Sequence, residues 1–151
     1  MAAGKARKSV GGAVLGASDE KLERLGYEYE VLQQQASELQ RQLQLASQLN
    51  AENDAAIKAL SALKEMSDSL MPIGSGVFAK IRVASSEKVL VEVGARVLSE
   101  KSIPEATKFL EQKKSELEKV LNELQQNLAA VAERATEIQS AAAELEAARQ
   151  R

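Results

Sequence analysis

Cysteine, histidine and tryptophan are absent from this 151-residue chain, and proline occurs only twice. Without cysteine there is neither a disulfide framework nor a thiolate metal site. Without histidine the commonest general base and the imidazole ligands are missing too. No cofactor and no metal are therefore expected. Aromatic residues make up only 3%, too few for a thick globular core. An excess of one charge is also lacking, because 22 acidic residues stand against 20 basic ones. A nucleic-acid binder needs clustered Lys and Arg to neutralise phosphates, and the only basic cluster is Lys5, Arg7 and Lys8. No apolar run approaches the roughly 18 residues of a membrane span, and Met1 to Ala17 has no continuous apolar stretch of the kind a signal peptide carries. The expectation is a cytoplasmic protein that engages neither nucleic acid nor membrane.

What is abundant is Leu, Ala, Glu, Gln, Lys and Ser, the composition of long helices and coiled coils. Residues 1–17 hold four glycines among small and basic residues, too little apolar area to offset ordering entropy, and are expected to be a disordered arm. Ser18, followed by Asp19 and Glu20, supplies a capping oxygen and acids at the positive end of a helix dipole. Leu22, Leu25, Tyr29, Leu32, Ala36, Leu39, Leu43 and Ala46 then alternate spacings of three and four, a heptad seam. Asn50 and Asn53 interrupt it, and Leu49, Ala56, Leu60, Leu63 and Leu70 carry a displaced stripe, which predicts a shift of the seam. A first helix is expected over 18–70. A second is expected over 102–151, opened by Ser102 with Glu105 as a capping box. Its seam runs Leu110, Lys114, Leu117, Leu121, Leu124, Leu128, Val131, Ala135, Ile138, Ala142 and Leu145, with Lys114 the one discordant member.

Residues 71–101 change period. Val77, Ala79, Ile81 and Val83 alternate with Phe78, Lys80 and Arg82, and Val89, Val91 and Val93 alternate with Leu90 and Glu92. Period two with β-branched residues predicts strands. Four short ones are expected: about 70–73, 77–83, 88–93 and 96–101. Gly74-Ser75-Gly76 reads as a turn, Ala84 to Glu87 as a hairpin connection, and Gly94 as a bulge or turn. The fold class is thus mainly α, an antiparallel two-helix coiled coil with two β-hairpins inserted at the helix junction. So small a sheet leaves apolar edges open, which predicts oligomerisation through strands of other subunits. The oligomerisation candidates are Ile73, Val77, Phe78, Ala79, Ile81, Val83, Val89, Leu90, Val91, Val93, Val97 and Leu98.

Met71-Pro72-Ile73-Gly74-Ser75-Gly76-Val77-Phe78, Lys88-Val89-Leu90-Val91-Glu92-Val93-Gly94-Ala95 and Leu98-Ser99-Glu100-Lys101-Ser102 resemble the alpha class of the prefoldin family over residues 18–149. The resemblance implies a hexamer of two alpha and four beta-type subunits whose hairpins close a β-barrel. It also implies coiled coils whose tips hold unfolded polypeptide for a group II chaperonin without ATP. The absence of a G-x-x-x-x-G-K-[ST] phosphate loop is consistent with the last point.

In an antiparallel helix pair the start of the first helix and the end of the second share the tip. Client-binding candidates are therefore Leu22, Leu25, Tyr29, Leu32, Ile138 and Leu145 on the seam, with Tyr27, Val31 and Ala141 beside it. For the seam members, packing against the partner helix is the competing role. Carboxylate pairs such as Glu116 and Glu118, or Glu144 and Glu146, point to different helix faces and form no cleft, so no enzyme is expected. The alternative function is a structural scaffold or tether, but a tether needs only a tight helical turn at the junction.

Overall fold

The computed structural model describes residues 6–63, 65, 68–83 and 87–150, with side chains from Gly16 onward. Two helices bracket four strands: α1 (Ala6–Leu63), β1 (Asp68–Gly74), β2 (Val77–Arg82), β3 (Lys88–Gly94), β4 (Val97–Ser102) and α2 (Ile103–Arg149). Helix α1 starts twelve residues before the expected cap at Ser18, so from Ala6 the arm expected to be disordered is helical; its first five residues lie outside the described ones. Once a helix is nucleated each added residue contributes a backbone bond, and the cost of about 1 kcal/mol per glycine against alanine at Gly11, Gly12 and Gly16 is spread among good helix formers. At its other end α1 stops at Leu63 rather than near 70, and the Glu65 amide bonds the Ala62 carbonyl at 3.1 Å.

The hairpins correct a second expectation. Ala84 to Glu87 does not join a hairpin, for β2 pairs with β1 and β3 with β4, giving two separate two-stranded sheets. Residues 84–86 lie outside the described ones. Pairing is decided at the turns. Ser75 and Gly76 have φ of 50° and 78°, and Ala95 and Arg96 have 48° and 60°, the doubly positive pattern of a two-residue turn whose twist matches antiparallel strands. Gly74 and Gly94, at φ 131° and 132°, each precede such a turn at a register shift, a region that essentially only glycine enters.

The second hairpin repeats the first. Asp68↔Arg82, Leu70↔Lys80 and Pro72↔Phe78 recur twenty positions on as Lys88↔Ser102, Leu90↔Glu100 and Glu92↔Leu98.

The helices contribute to two compact units. One joins Met1–Gln44 to Asn122–Arg151; the other is Leu45–Leu121 and contains both hairpins. In the first, the seam residues Leu22, Tyr29, Leu32, Ala36, Leu39 and Leu43 are half-buried and Leu25 is buried, as is Ile138 on α2. Asp19 meets Arg149 and Tyr29 meets Gln139, so a step forward along α1 is an equal step back along α2. In the second unit both registers are partly covered: Ala46 and Asn53 are buried and Asn50 and Ile57 half-buried at the continuing heptad positions, while Ala56, Leu60 and Leu63 of the displaced stripe are half-buried and Leu49 is exposed. Asn53 and Lys114 remain in the seam with polar partners there. Asn53 donates to the Leu110 carbonyl at 2.7 Å, and Lys114 bonds Asp54 at 2.6 Å. Asn50 Oδ1 is buried without a partner.

Candidate functional site

In the unit that carries the hairpins, strand periodicity places alternate side chains on opposite faces. Val89 and Val91, half-buried, line a groove of about 450 Å³ together with Ala56, Leu60, Leu63, Ala106, Phe109 and Leu110 of the helices. Leu90, on the other face of β3, is 67% exposed. Ile73, Val77, Phe78, Ile81, Val93, Val97 and Leu98 are exposed as well, and Ala79 and Val83 half-buried. The structure thus gathers all twelve oligomerisation candidates into one unit, most of them uncovered. Leu70 and Met71 belong to the same surface and were missed. The signal that could have found them was Asp68-Ser69 ahead of them, a pair that ends helices more readily than it continues them. Contiguous apolar surface of this kind marks an interaction site.

The junction of β4 and α2 is fastened locally. The Ser102 amide and hydroxyl donate to the Glu105 carboxylate at 2.9 Å, and the Glu105 amide donates back to the Ser102 hydroxyl at 3.3 Å. This is the reciprocal capping box expected from the sequence. Those donors, the backbone amide first, hold the Glu105 carboxyl below its ordinary value. Beside it, the Phe109 ring takes Lys101 and Lys113 ammonium groups at 6.0 and 5.3 Å from its centroid.

In the other unit the nine client candidates separate by burial. Leu25 and Ile138 are buried; Leu22, Tyr29, Val31, Leu32 and Leu145 are half-buried; Ala141 and Tyr27 are exposed, Tyr27 at 70%. Three links cross from helix to helix here. Arg149 reaches Asp19 at 2.8 Å, Arg134 reaches Glu28 at 2.8 Å, and Gln139 donates to the Tyr29 hydroxyl at 2.7 Å. The hydrogen bond to Glu28, reinforced by Glu137, holds the Arg134 guanidinium above its ordinary value. Seam side chains are therefore wholly or partly covered, and the most open of the nine candidates are Tyr27 and Ala141 beside the seam. Among the described residues no cluster of acidic side chains is assembled that could hold a metal ion, and no helix is long and apolar enough to cross a membrane.

Three comparisons bear on this arrangement. The family described as Prefoldin subunit matches residues 32–148. A prefoldin subunit alpha of Thermofilum pendens is 43% identical over 121 residues, covering 78% of this chain and 94% of that protein. A prefoldin subunit alpha of Pyrococcus horikoshii is 34% identical over 133 residues, covering 85% of this chain and 90% of that one. Among solved structures, filamentous prefoldin of Methanocaldococcus jannaschii superposes with a TM-score of 0.67 at 21% identity, over 76% of this chain and 98% of the other. The last of these is a likeness of fold.

Proposed function

This chain belongs to the prefoldin family as a chaperone-type alpha subunit, and we propose that it joins beta-type subunits, two alpha with four beta, in an ATP-independent cytoplasmic chaperone. The hairpins build the β-barrel body of that assembly. The helix ends opposite the hairpins along the chain hold unfolded polypeptide and pass it to a group II chaperonin. The family is one of chaperone subunits rather than enzymes, and the chain is read as having no catalytic activity of its own.

The observation that supports this best is the contrast in cover between strands and helices. Leu90, Leu98, Phe78 and Ile73 are exposed on the hairpins, whereas Leu25 and Ile138 are buried on the helices. A scaffold or tether would gain nothing from such surface and would suffer aggregation for it. Client contact falls to Tyr27, Val31 and Ala141, which flank the seam, more than to Leu25 and Ile138, which the partner helix claims. Weak apolar contacts, each at most about 1.5–3 kcal/mol for a fully buried large side chain, suit sequence-tolerant capture.

The test mixes the full chain with a beta-type subunit, measures mass by native mass spectrometry, and follows aggregation of a chemically unfolded client by light scattering. A defined hetero-hexamer that suppresses aggregation without nucleotide is expected. A chain that stays unassembled with every beta-type partner, or a hexamer that leaves aggregation unchanged, would overturn the proposal. Replacing Tyr27 by serine in the hexamer is expected to weaken suppression without changing mass.

A further inference from the structure

A heptad seam repeats itself, and repetition leaves two paired helices open to slippage. Sliding one helix past the other by one heptad, about 10 Å, brings seam positions back onto seam positions. Apolar packing alone therefore distinguishes such registers poorly.

Three seam members in the unit that carries the hairpins are polar: Asn50, Asn53 and Lys114. Two of them share a layer. The Leu110 carbonyl is the ordinary helical acceptor for the Lys114 peptide N–H, and Asn53 Nδ2 donates to that same carbonyl at 2.7 Å. The Lys114 ammonium then reaches Asp54, the next residue of α1, at 2.6 Å. Its bond to Asp54 and the charge of that carboxylate hold the ammonium above its ordinary value. Among the described residues this is the most covered ion pair, its side chains 35% and 38% exposed.

Slippage takes this layer apart. One heptad in one direction sets Lys114 against Ala46, with Ser47 where Asp54 had been; one heptad in the other sets it against Leu60, with Ser61 in that place. Either register leaves an ammonium in the seam without its acid, and carries Asn53 to Thr107 or Leu121. A polar seam residue that is satisfied in one register only specifies that register. The ion pairs between helices in the other unit discriminate less. Arg134 and Arg149 there keep 52% and 47% of their side chains exposed, and exposed pairs contribute little.

We propose that Asn53, Asp54 and Lys114 form a register lock, the layer that holds α1 and α2 in one antiparallel register against the two slipped by a heptad. Asn50 is not part of it, since its Oδ1 is buried without a partner.

The chain has no cysteine, so one introduced pair reports register by the disulfide it forms, which requires Cα atoms within about 7 Å. Ile57→Cys is combined with Leu110→Cys, one turn beyond the lock, for the register of the structure. The same substitution is combined with Ile103→Cys or Leu117→Cys for the two slipped registers. The full chain is oxidised mildly, and the fraction cross-linked within one molecule is read on a non-reducing gel. With the lock intact, closure of the Ile57–Leu110 pair alone is expected. Asn53→Leu together with Lys114→Leu removes the lock, and closure of the slipped pairs is expected to rise at least tenfold, with helical circular dichroism retained. Asp54→Ala leaves Lys114 in the seam without its acid and is expected to raise it about threefold. This milder variant decides the outcome if the leucine variant aggregates. Asn50→Leu, and Arg134→Ala together with Arg149→Ala, are expected to leave the cross-linking pattern unchanged. Slipped pairs that close as readily with the lock intact, or that stay open in Asp54→Ala and in the leucine variant, would overturn the proposal. So would slippage released by the paired arginine substitutions and not by Asp54→Ala.

Discussion

Leu25 and Ile138 on the helices are almost completely covered, whereas Leu90 and Leu98 on the second hairpin keep well over half of their surface open. Both regions carry regularly spaced apolar residues. The difference lies in what one chain can supply as cover. A helix presents a single stripe, and a second antiparallel helix with the matching heptad covers it. A two-stranded sheet presents two faces and two edges, and here Val89 and Val91 are half-buried in a groove shared with the helices while Leu90 and Leu98 stay exposed. The helix seam is thus largely covered within the chain, while most apolar side chains of the hairpins are left open.

The sharpest way to break this comparison is to truncate one residue of each kind. Ile138→Ala is expected to lower stability by about 3 kcal/mol in urea denaturation, against less than about 0.5 kcal/mol for Leu90→Ala in the isolated chain. Equal losses would show that the hairpins are as well covered as the helices. The polar layer inside the seam offers a subtler probe. Asn53→Ala should cost about 1.5 kcal/mol by removing the bond to the Leu110 carbonyl, and Asn50→Leu should add about 1 kcal/mol by eliminating a buried unpartnered oxygen. Thermal melts of both variants report the two signs side by side.

On the hairpin side, Ala95 and Arg96 occupy positive-φ positions that the first hairpin gives to Ser75 and Gly76. Replacing them with Asn and Gly is expected to raise stability by about 1 kcal/mol, measured by the same denaturation. The smallest effect concerns the capping box at the join between the two regions. The folded state holds the Glu105 carboxyl below its ordinary value of 4.5, so its contribution is complete above that value and disappears as pH falls through the lowered one. Melting temperature measured from pH 7 to pH 3 should therefore fall less steeply in Glu105→Gln than in the wild-type chain.

The seam was legible residue by residue, since Leu22 through Ala46 and Leu110 through Leu145 occupy the covered face of their helices. The hairpin candidates were legible too, because alternation shows directly in the residues. Three features were not. The helical start at Ala6 was hidden by Gly11, Gly12 and Gly16, whose cost is smaller than the gain from extending an existing helix. Leu70 was counted both in the displaced helical stripe and at the start of the first strand, since a single leucine suits either period, and neither it nor Met71 was named among the oligomerisation candidates. Leu49 was placed in a displaced stripe because asparagine in a seam looks like an interruption until its partner is seen.

By itself the amino-acid sequence determined the period of each region, the glycines of its turns and the capping box, all of which depend on residues within a few positions of one another. Only the tertiary structure decided that β2 pairs back to β1 rather than forward to β3, and that Asn53 and Lys114 stay in the seam. Those outcomes depend on groups dozens of residues away, the Leu110 carbonyl and the Asp54 carboxylate among them, and on turn dihedrals that admit one closure and exclude the other.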